Sequence, residues 1–193
     1  MRRKSLSTGD LARYCQVTPA TIVNWIRAGK LDVYTTPGGQ YRMELPKFIA
    51  FLEDNEFPIP EELQADRTRK ILIVDDEEEI LDLLVEVVEG SDANYIVRSE
   101  KNGYDALIAI GDFKPDIVSI DLNMPKMDGA ELVRRLRSNP ETKNAKILIV
   151  TGMIPTSDLV RKVKRIGVDS FMQKPIDIDE YAKALDKLAT FKV

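Results

Sequence analysis

Lys70-Ile71-Leu72-Ile73-Val74-Asp75-Asp76 is a run of four apolar residues, three of them β-branched, that stops abruptly at two acids. Such a run, too short for a helix and without alternation, reads as a strand buried on both faces. The residues after it switch period. Glu77 to Glu89 places Ile80, Leu81, Leu84, Val87 and Val88 on one helical face. Tyr95–Ser99 reads as a second strand and Asn102–Phe113 as a helix with Ala106, Leu107 and Ile110 inward. Asp116–Asp121 is a third strand, Gly129–Arg137 a helix, Lys146–Thr151 a fourth strand and Ser157–Ile166 a helix. Ser170–Met172 is a short fifth strand, and Asp179–Ala189 a helix with Tyr181, Leu185 and Leu188 at i, i+4 and i+7. Strictly alternating strands and helices predict an α/β fold with a doubly wound five-stranded parallel sheet.

In such sheets ligands bind at the carboxyl ends of the strands. Asp75 and Asp76 close the first strand, Asp121 the third and Thr151 the fourth, while Lys174 follows the fifth, just before Pro175. Carboxylates gathered at one rim repel each other unless a cation neutralises them. Mg²⁺, which takes oxygen ligands from carboxylates, waters and phosphates, is the ion expected. The chemistry indicated is phosphoryl transfer. Asp121 would be the carboxylate nucleophile; Asp75, Asp76, Asp121 and the Asn123 carbonyl would serve the metal; Thr151 and Lys174 would reach the phosphoryl oxygens.

The remainder of the chain has another composition. Residues 1–55 carry 8 Lys and Arg against 5 acids, residues 56–69 carry 2 against 4, and residues 70–193 carry 18 against 23. A small basic head on an acidic body indicates two domains with different partners. Residues 56–69, with Pro58, Pro60 and mixed charge, read as a linker. In the head, Ser7 or Thr8 caps a short helix bearing Leu11, Ala12 and Cys15. Thr18 and Pro19 open a second helix, which stops at Gly29. Two short helices around a tight turn make a helix-turn-helix. Val33 to Met43, folded around Pro37-Gly38-Gly39, predicts a hairpin, and Leu45-Pro46 opens a helix with Phe48, Ile49, Phe51 and Leu52. Trp25 and Cys15 are expected in the core. Thr18, Thr21, Asn24 and Arg27 would face a DNA groove, with Tyr41 on the sugar-phosphate backbone. Arg2, Arg3, Lys4, Arg13, Arg27, Lys30, Arg42 and Lys47 would neutralise phosphates.

Residues 70–193 resemble a response-regulator receiver domain of the flavodoxin-like type. The resemblance rests on Asp75-Asp76, on Asp121 with Asn123-Met124-Pro125 and Asp128-Gly129, and on Thr151-Gly152, Phe171 and Lys174-Pro175. The intervals, 45 residues from Asp76 to Asp121, 30 to Thr151 and 23 to Lys174, suit that family. It implies Asp121 as the phosphorylation site and Asp75, Asp76 and the Asn123 carbonyl as Mg²⁺ ligands. It also implies Thr151 and Phe171 as a switch, although Phe171 stands where the family often has Tyr and reads equally as core packing. Residues 5–55 resemble the winged helix-turn-helix of the MerR and excisionase families, through Thr18-Pro-Ala-Thr-Ile-Val-Asn-Trp-Ile-Arg-Ala-Gly and Thr36-Pro-Gly-Gly-Gln-Tyr-Arg. Arg42 stands where that family's wing usually carries a basic residue.

These readings combine into a two-component response regulator. A separate sensor histidine kinase or phosphotransfer protein would phosphorylate Asp121, and this would control binding of double-stranded DNA, with homodimerisation on phosphorylation. The alternative is a phosphorylation-controlled adaptor whose head binds protein. Beyond self-phosphorylation and slow autodephosphorylation no enzyme activity is expected. The chain has no histidine and one cysteine, Cys15, which excludes histidine triads, imidazole zinc sites and a disulfide framework. No apolar run approaches a membrane span, and MRRKSLSTGD has no apolar core of a signal peptide, so a reducing cytoplasm is expected. Asp128 is expected to cap a helix, and Met124 and Met127 to pack.

Overall fold

The computed structural model describes residues 5–91 and 93–190; Arg2, Arg3 and Lys4 lie outside the described residues. The chain divides into two compact units, Met1–Arg67 and Thr68–Val193.

The first unit contains β1 (Ser5–Ser7), α1 (Thr8–Tyr14), α2 (Pro19–Arg27), β2 (Tyr34–Thr35), β3 (Tyr41–Glu44) and α3 (Leu45–Asp54). Ser7 is the N-cap of α1, in a capping box with Asp10, and the Thr18 side chain caps α2 by accepting from the Thr21 amide. Gly29 takes φ +70 just past α2, the left-handed conformation that ends a helix at little cost to glycine. The hairpin β2–β3 forms as expected. β1, three residues and thus below the reach of any alternation pattern, adds to the far side of β3 in the antiparallel order β1-β3-β2.

The expected linker is a correction. Leu63 is fully buried with Ile22, Leu45, Phe48 and Leu52, and Phe57 and Ile59 pack against the same core. Glu61–Asp66 forms a 3-10 turn, and the Phe57 ring lies 6.1 Å from Phe51 and 6.3 Å from Trp25. Prolines and charges disguised an apolar strap that belongs to the first unit as far as Arg67. Trp25, expected in the core, is half-buried, packed against Phe51 and Phe57.

The second unit runs β4 (Arg69–Val74), α4 (Glu78–Glu89), β5 (Tyr95–Glu100), α5 (Gly103–Phe113), β6 (Ile117–Ile120), α6 (Gly129–Ser138), β7 (Lys146–Thr151), α7 (Asp158–Ile166), β8 (Ser170–Gln173) and α8 (Ile178–Thr190). All five strands are parallel, in the order β5-β4-β6-β7-β8. Leu72, Val74, Val118, Ile120, Ile147 and Ile149 face one core with α5, α6 and α7; Ile71, Ile73, Ile117, Leu148 and Val150 face the other with α4 and α8. Burial on both faces is the reason these strands read as continuous apolar runs. From β4 the chain moves outward to β5 and then returns to the other side of β4 as β6. The crevice made by this reversal opens at the carboxyl ends of β4 and β6. Among the described residues no helix is long and apolar enough to cross a membrane.

Candidate functional site

The residues immediately after β4 and β6 are Asp75 and Asp121. Backbone hydrogen bonds hold them at the strand ends: the Asp75 amide donates to Glu100 O (3.2 Å) and the Asp121 amide to Val74 O (2.9 Å). Asp75 and Asp121 are 2% and 4% exposed, while Asp76 faces solvent. One carboxylate oxygen from each of Asp75, Asp76 and Asp121 lies within 4.8 Å of the others. This all-oxygen, all-anionic set suits a small hard divalent cation, with Asp76 on the open side where water ligands would enter.

The cluster is braced from two sides. Asp75 Oδ1 accepts from the Glu77 amide (3.0 Å) and Asp121 Oδ2 from the Asn123 amide (3.0 Å). Lys174 Nζ lies 2.8 Å from Asp75 Oδ2 and 2.8 Å from Glu77 Oε1. Burial raises the Asp75 pKa, and its bonds to Lys174 and the Glu77 amide only partly oppose this. For Lys174, burial disfavours the cation, yet its bonds to Asp75 and Glu77 and the nearby Asp121 charge more than compensate, so its pKa rises. Lys174 is therefore a firmly protonated ammonium at the mouth of the pocket. Its place is set by β8, whose next residue donates through the Lys174 amide to Thr151 O (2.9 Å), and the Lys174-Pro175 bond is cis. Thr151 is fully buried at the end of β7, and its hydroxyl accepts from the Met153 amide (3.3 Å).

Asp75, Asp76, Asp121, Asn123, Thr151 and Lys174 thus meet at one rim. Phe171 lies elsewhere, half-buried on the edge strand β8, with Lys164 Nζ 5.2 Å from its ring centroid. Asp128 caps α6 by accepting from the Glu131 amide (2.7 Å), and Met124 and Met127 are buried. Sequence reasoning missed two participants. Glu77, assigned only to a helix start, shares Lys174 with Asp75. At Gly129 an added Cβ would stand 2.3 Å from the Asp121 carbonyl oxygen and 2.9 Å from Leu122 Cα. The Asp128-Gly129 pair was visible in the sequence, but its packing against the Asp121 backbone was not.

In the first unit, Thr18, Asn24 and Arg27 are exposed along α2 and Thr21 is half-buried. The hydroxyls of Thr18 and Thr21 lie 3.0 Å apart, so both are engaged at the helix cap. On β3, Tyr41 alternates with Arg42 and shares a face with buried Met43, so Tyr41 and Arg42 sit on opposite faces. Arg42 bonds Gln40 (3.3 Å). Two of the cations assigned to phosphates have internal partners, Arg13 with Glu62 and Lys47 with Asp32.

Comparison with known proteins agrees with this geometry. Residues 71–186 match the response regulator receiver domain, and residues 5–56 match a helix-turn-helix domain. The receiver match spans more than half of the chain, and the chain belongs to the response regulator receiver family. The two matches together define a response regulator with a DNA-binding domain. The chain is 35% identical over 123 residues to sporulation initiation phosphotransferase F of Bacillus subtilis, covering 64% of this chain and 95% of that protein. It is 32% identical over 120 residues to the chemotaxis protein CheY of Listeria monocytogenes, covering 62% and 98%. Among solved structures it resembles the signal receiver domain of a DNA-binding response regulator protein from Colwellia psychrerythraea 34H. The TM-score is 0.59 at 29% identity, covering 64% of this chain and 99% of that one.

Proposed function

We propose that this protein is a cytoplasmic response regulator in which phosphorylation of Asp121 controls DNA binding by the helix-turn-helix unit. The observation that carries this reading is the three-carboxylate cluster at the strand reversal, with Thr151 and Lys174 at its rim. Asp75, Asp76 and Asp121, with the Asn123 carbonyl, would hold one Mg²⁺, whose charge offsets that of the transferring phosphoryl group. An Asp121 carboxylate oxygen attacks the phosphorus of a phosphohistidine on a sensor kinase or phosphotransfer protein. The P–N bond breaks as the acyl P–O bond forms, and the departing imidazole nitrogen keeps the electron pair. Lys174 moves its ammonium from Asp75 and Glu77 to a phosphoryl oxygen, and the Thr151 hydroxyl donates to another. Thr151 is itself the last paired residue of β7, opposite Gln173 of β8, so its movement would be passed to β8 and Phe171.

Output follows through the first unit. Asn24 and Arg27 enter the groove from α2, with Thr18 and Thr21 at its N-terminal end. The β2–β3 hairpin acts as a wing through Arg42, whereas Tyr41, on the face it shares with buried Met43, does not reach the duplex from the same side. Dimerisation on phosphorylation raises DNA affinity through effective concentration. The protein turns over no external phosphoester, since its chemistry ends at its own acyl phosphate.

Acetyl phosphate with Mg²⁺ should add one phosphoryl group by intact mass, and Asp121→Asn should abolish the gain; full labelling of that variant would refute the site. Random duplex DNA followed by fluorescence anisotropy at two salt concentrations separates the output readings. Salt-sensitive binding supports the DNA reading, and no binding at low salt by either the phosphorylated or the unmodified form supports a protein-binding adaptor.

A further inference from the structure

The second unit is acidic in sum, yet its charges are segregated. Helix α4, on one side of the sheet, carries five acids and no Lys or Arg. Helices α6 and α7, which pack side by side on the other, carry seven Arg and Lys against only Glu131 and Asp158. Arg137 turns inward, donating to the carbonyls of Gly167 (2.9 Å), Lys143 (3.0 Å) and Ala145 (2.6 Å). The other six face outward. The side chains of Arg134, Arg135 and Arg161 are 62%, 53% and 58% exposed, and Lys162, Lys164 and Arg165 are exposed along α7. Arg134 and Arg135 share Glu131, and Arg161 pairs with Asp158. Lys162 and Arg165, one turn apart, make no ion pair among the described residues. Val160 and Val163 hold the opposite side of α7 in the core, so the basic stripe is fixed in direction.

The recognition helix of the first unit offers far less charge. α2 contributes a single cation, Arg27, and Arg13 and Lys47 are paired internally. DNA affinity at moderate salt depends on how many phosphates are neutralised, and among the described residues six exposed Arg and Lys side chains gather on the two adjacent helices α6 and α7. We infer that the outward face of α6 and α7 is a second, sequence-independent DNA contact that engages the phosphate backbone while the helix-turn-helix unit supplies the groove contacts. This inference rests on the DNA-binding reading above. The occupant is a polyanion by charge complementarity, and it is DNA because the same chain carries a DNA-binding domain that keeps duplex nearby. Lys164 lies over the Phe171 ring, so the stripe adjoins the residue proposed to move on phosphorylation.

The test uses the full chain, unmodified and acetyl phosphate-treated, with labelled random-sequence duplex titrated from about 50 to about 200 mM salt. Lys162→Ala with Arg165→Ala should lower affinity roughly tenfold or more and reduce the slope of log K against log salt by about 2, near 0.9 per lost phosphate contact. The phosphoryl mass gain should be unchanged in that variant. Lys183→Ala, exposed on α8, should leave the slope as in the wild type. An unchanged slope in the double variant, with binding still abolished by Asn24→Ala and Arg27→Ala, overturns this inference and leaves the DNA reading standing. Absence of binding by the wild type in both states overturns the DNA reading itself. If the double variant instead loses salt-sensitive self-association in light scattering, with its DNA slope unchanged, the basic face binds the acidic α4 of a second copy and the inference is wrong.

Discussion

Lys174 Nζ sits 2.8 Å from Asp75 Oδ2 and bonds the most deeply buried acid of the cluster, with the Asp121 charge nearby. Removing the ammonium leaves a carboxylate that is 2% exposed without its counter-charge and beside two other acids. Lys174→Ala should therefore lower stability by about 2 kcal/mol at pH 7 in Mg²⁺-free buffer. Urea denaturation followed by circular dichroism measures it. Saturating Mg²⁺ should return part of the loss, because a ligand that binds only the folded state stabilises it. Equal stability of variant and wild type would show that the pair carries no weight.

Gly129 is held by the Asp121 backbone. A methyl group there would meet main-chain atoms that cannot rotate away. Gly129→Ala should cost about 1–3 kcal/mol by overpacking and slow acetyl phosphate labelling of Asp121, since relief of the clash displaces the strand end that carries the carboxylate. Wild-type labelling kinetics would contradict this.

The capping box of α1 carries a pH signature. Ser7 donates to Asp10 Oδ2 through its amide (2.9 Å) and hydroxyl (2.6 Å), and the hydroxyl bond above all lowers the Asp10 pKa. A carboxyl whose folded pKa is depressed stabilises the fold above its ordinary value of 3.8 and ceases to do so as pH falls through the lower folded value. Ser7→Ala should cost about 1 kcal/mol at pH 7, and the gap from the wild type should narrow below pH 3.8 without closing, because the bond from the Asp10 amide to the Ser7 hydroxyl does not titrate. Trp25, the single tryptophan, lies in this unit against Phe51 and Phe57, so its fluorescence reports the transition.

Tyr181 on α8 is fully buried in the α4–α8 core, and its hydroxyl has no hydrogen-bond partner. Ser119 is its polar neighbour, close enough to lower the phenol pKa against the effect of burial, but no hydrogen bond of normal geometry joins them. Burial raises the phenol pKa. Because an unpaired buried hydroxyl is a cost, Tyr181→Phe should be neutral or stabilising by up to about 1 kcal/mol in thermal melts. A clear loss of stability would reveal a partner for the hydroxyl.

The strand-helix alternation from residue 70 onward was legible residue by residue. Each central strand is covered on both faces and each helix on one, so the 2-sided and 3.6-residue patterns appear undiluted in the sequence. Asp75, Asp121 and Thr151 were legible for the same reason: they are polar residues at the point where a buried apolar run ends. β1 was not, because three residues carry no period, and the strap from Phe57 to Leu63 was not, because its apolar residues are scattered among prolines and acids. Local order by itself thus determined the parallel sheet, the capped helices of the head and the rim on which the acids gather. Only the tertiary structure decided that Lys174 holds Asp75 and Glu77, that Gly129 packs on the Asp121 carbonyl, that Tyr41 and Arg42 part to opposite faces, and that cations from α6 and α7 merge into one basic face. Those relationships join residues distant in the chain or depend on side-chain direction, and no local spacing encodes either.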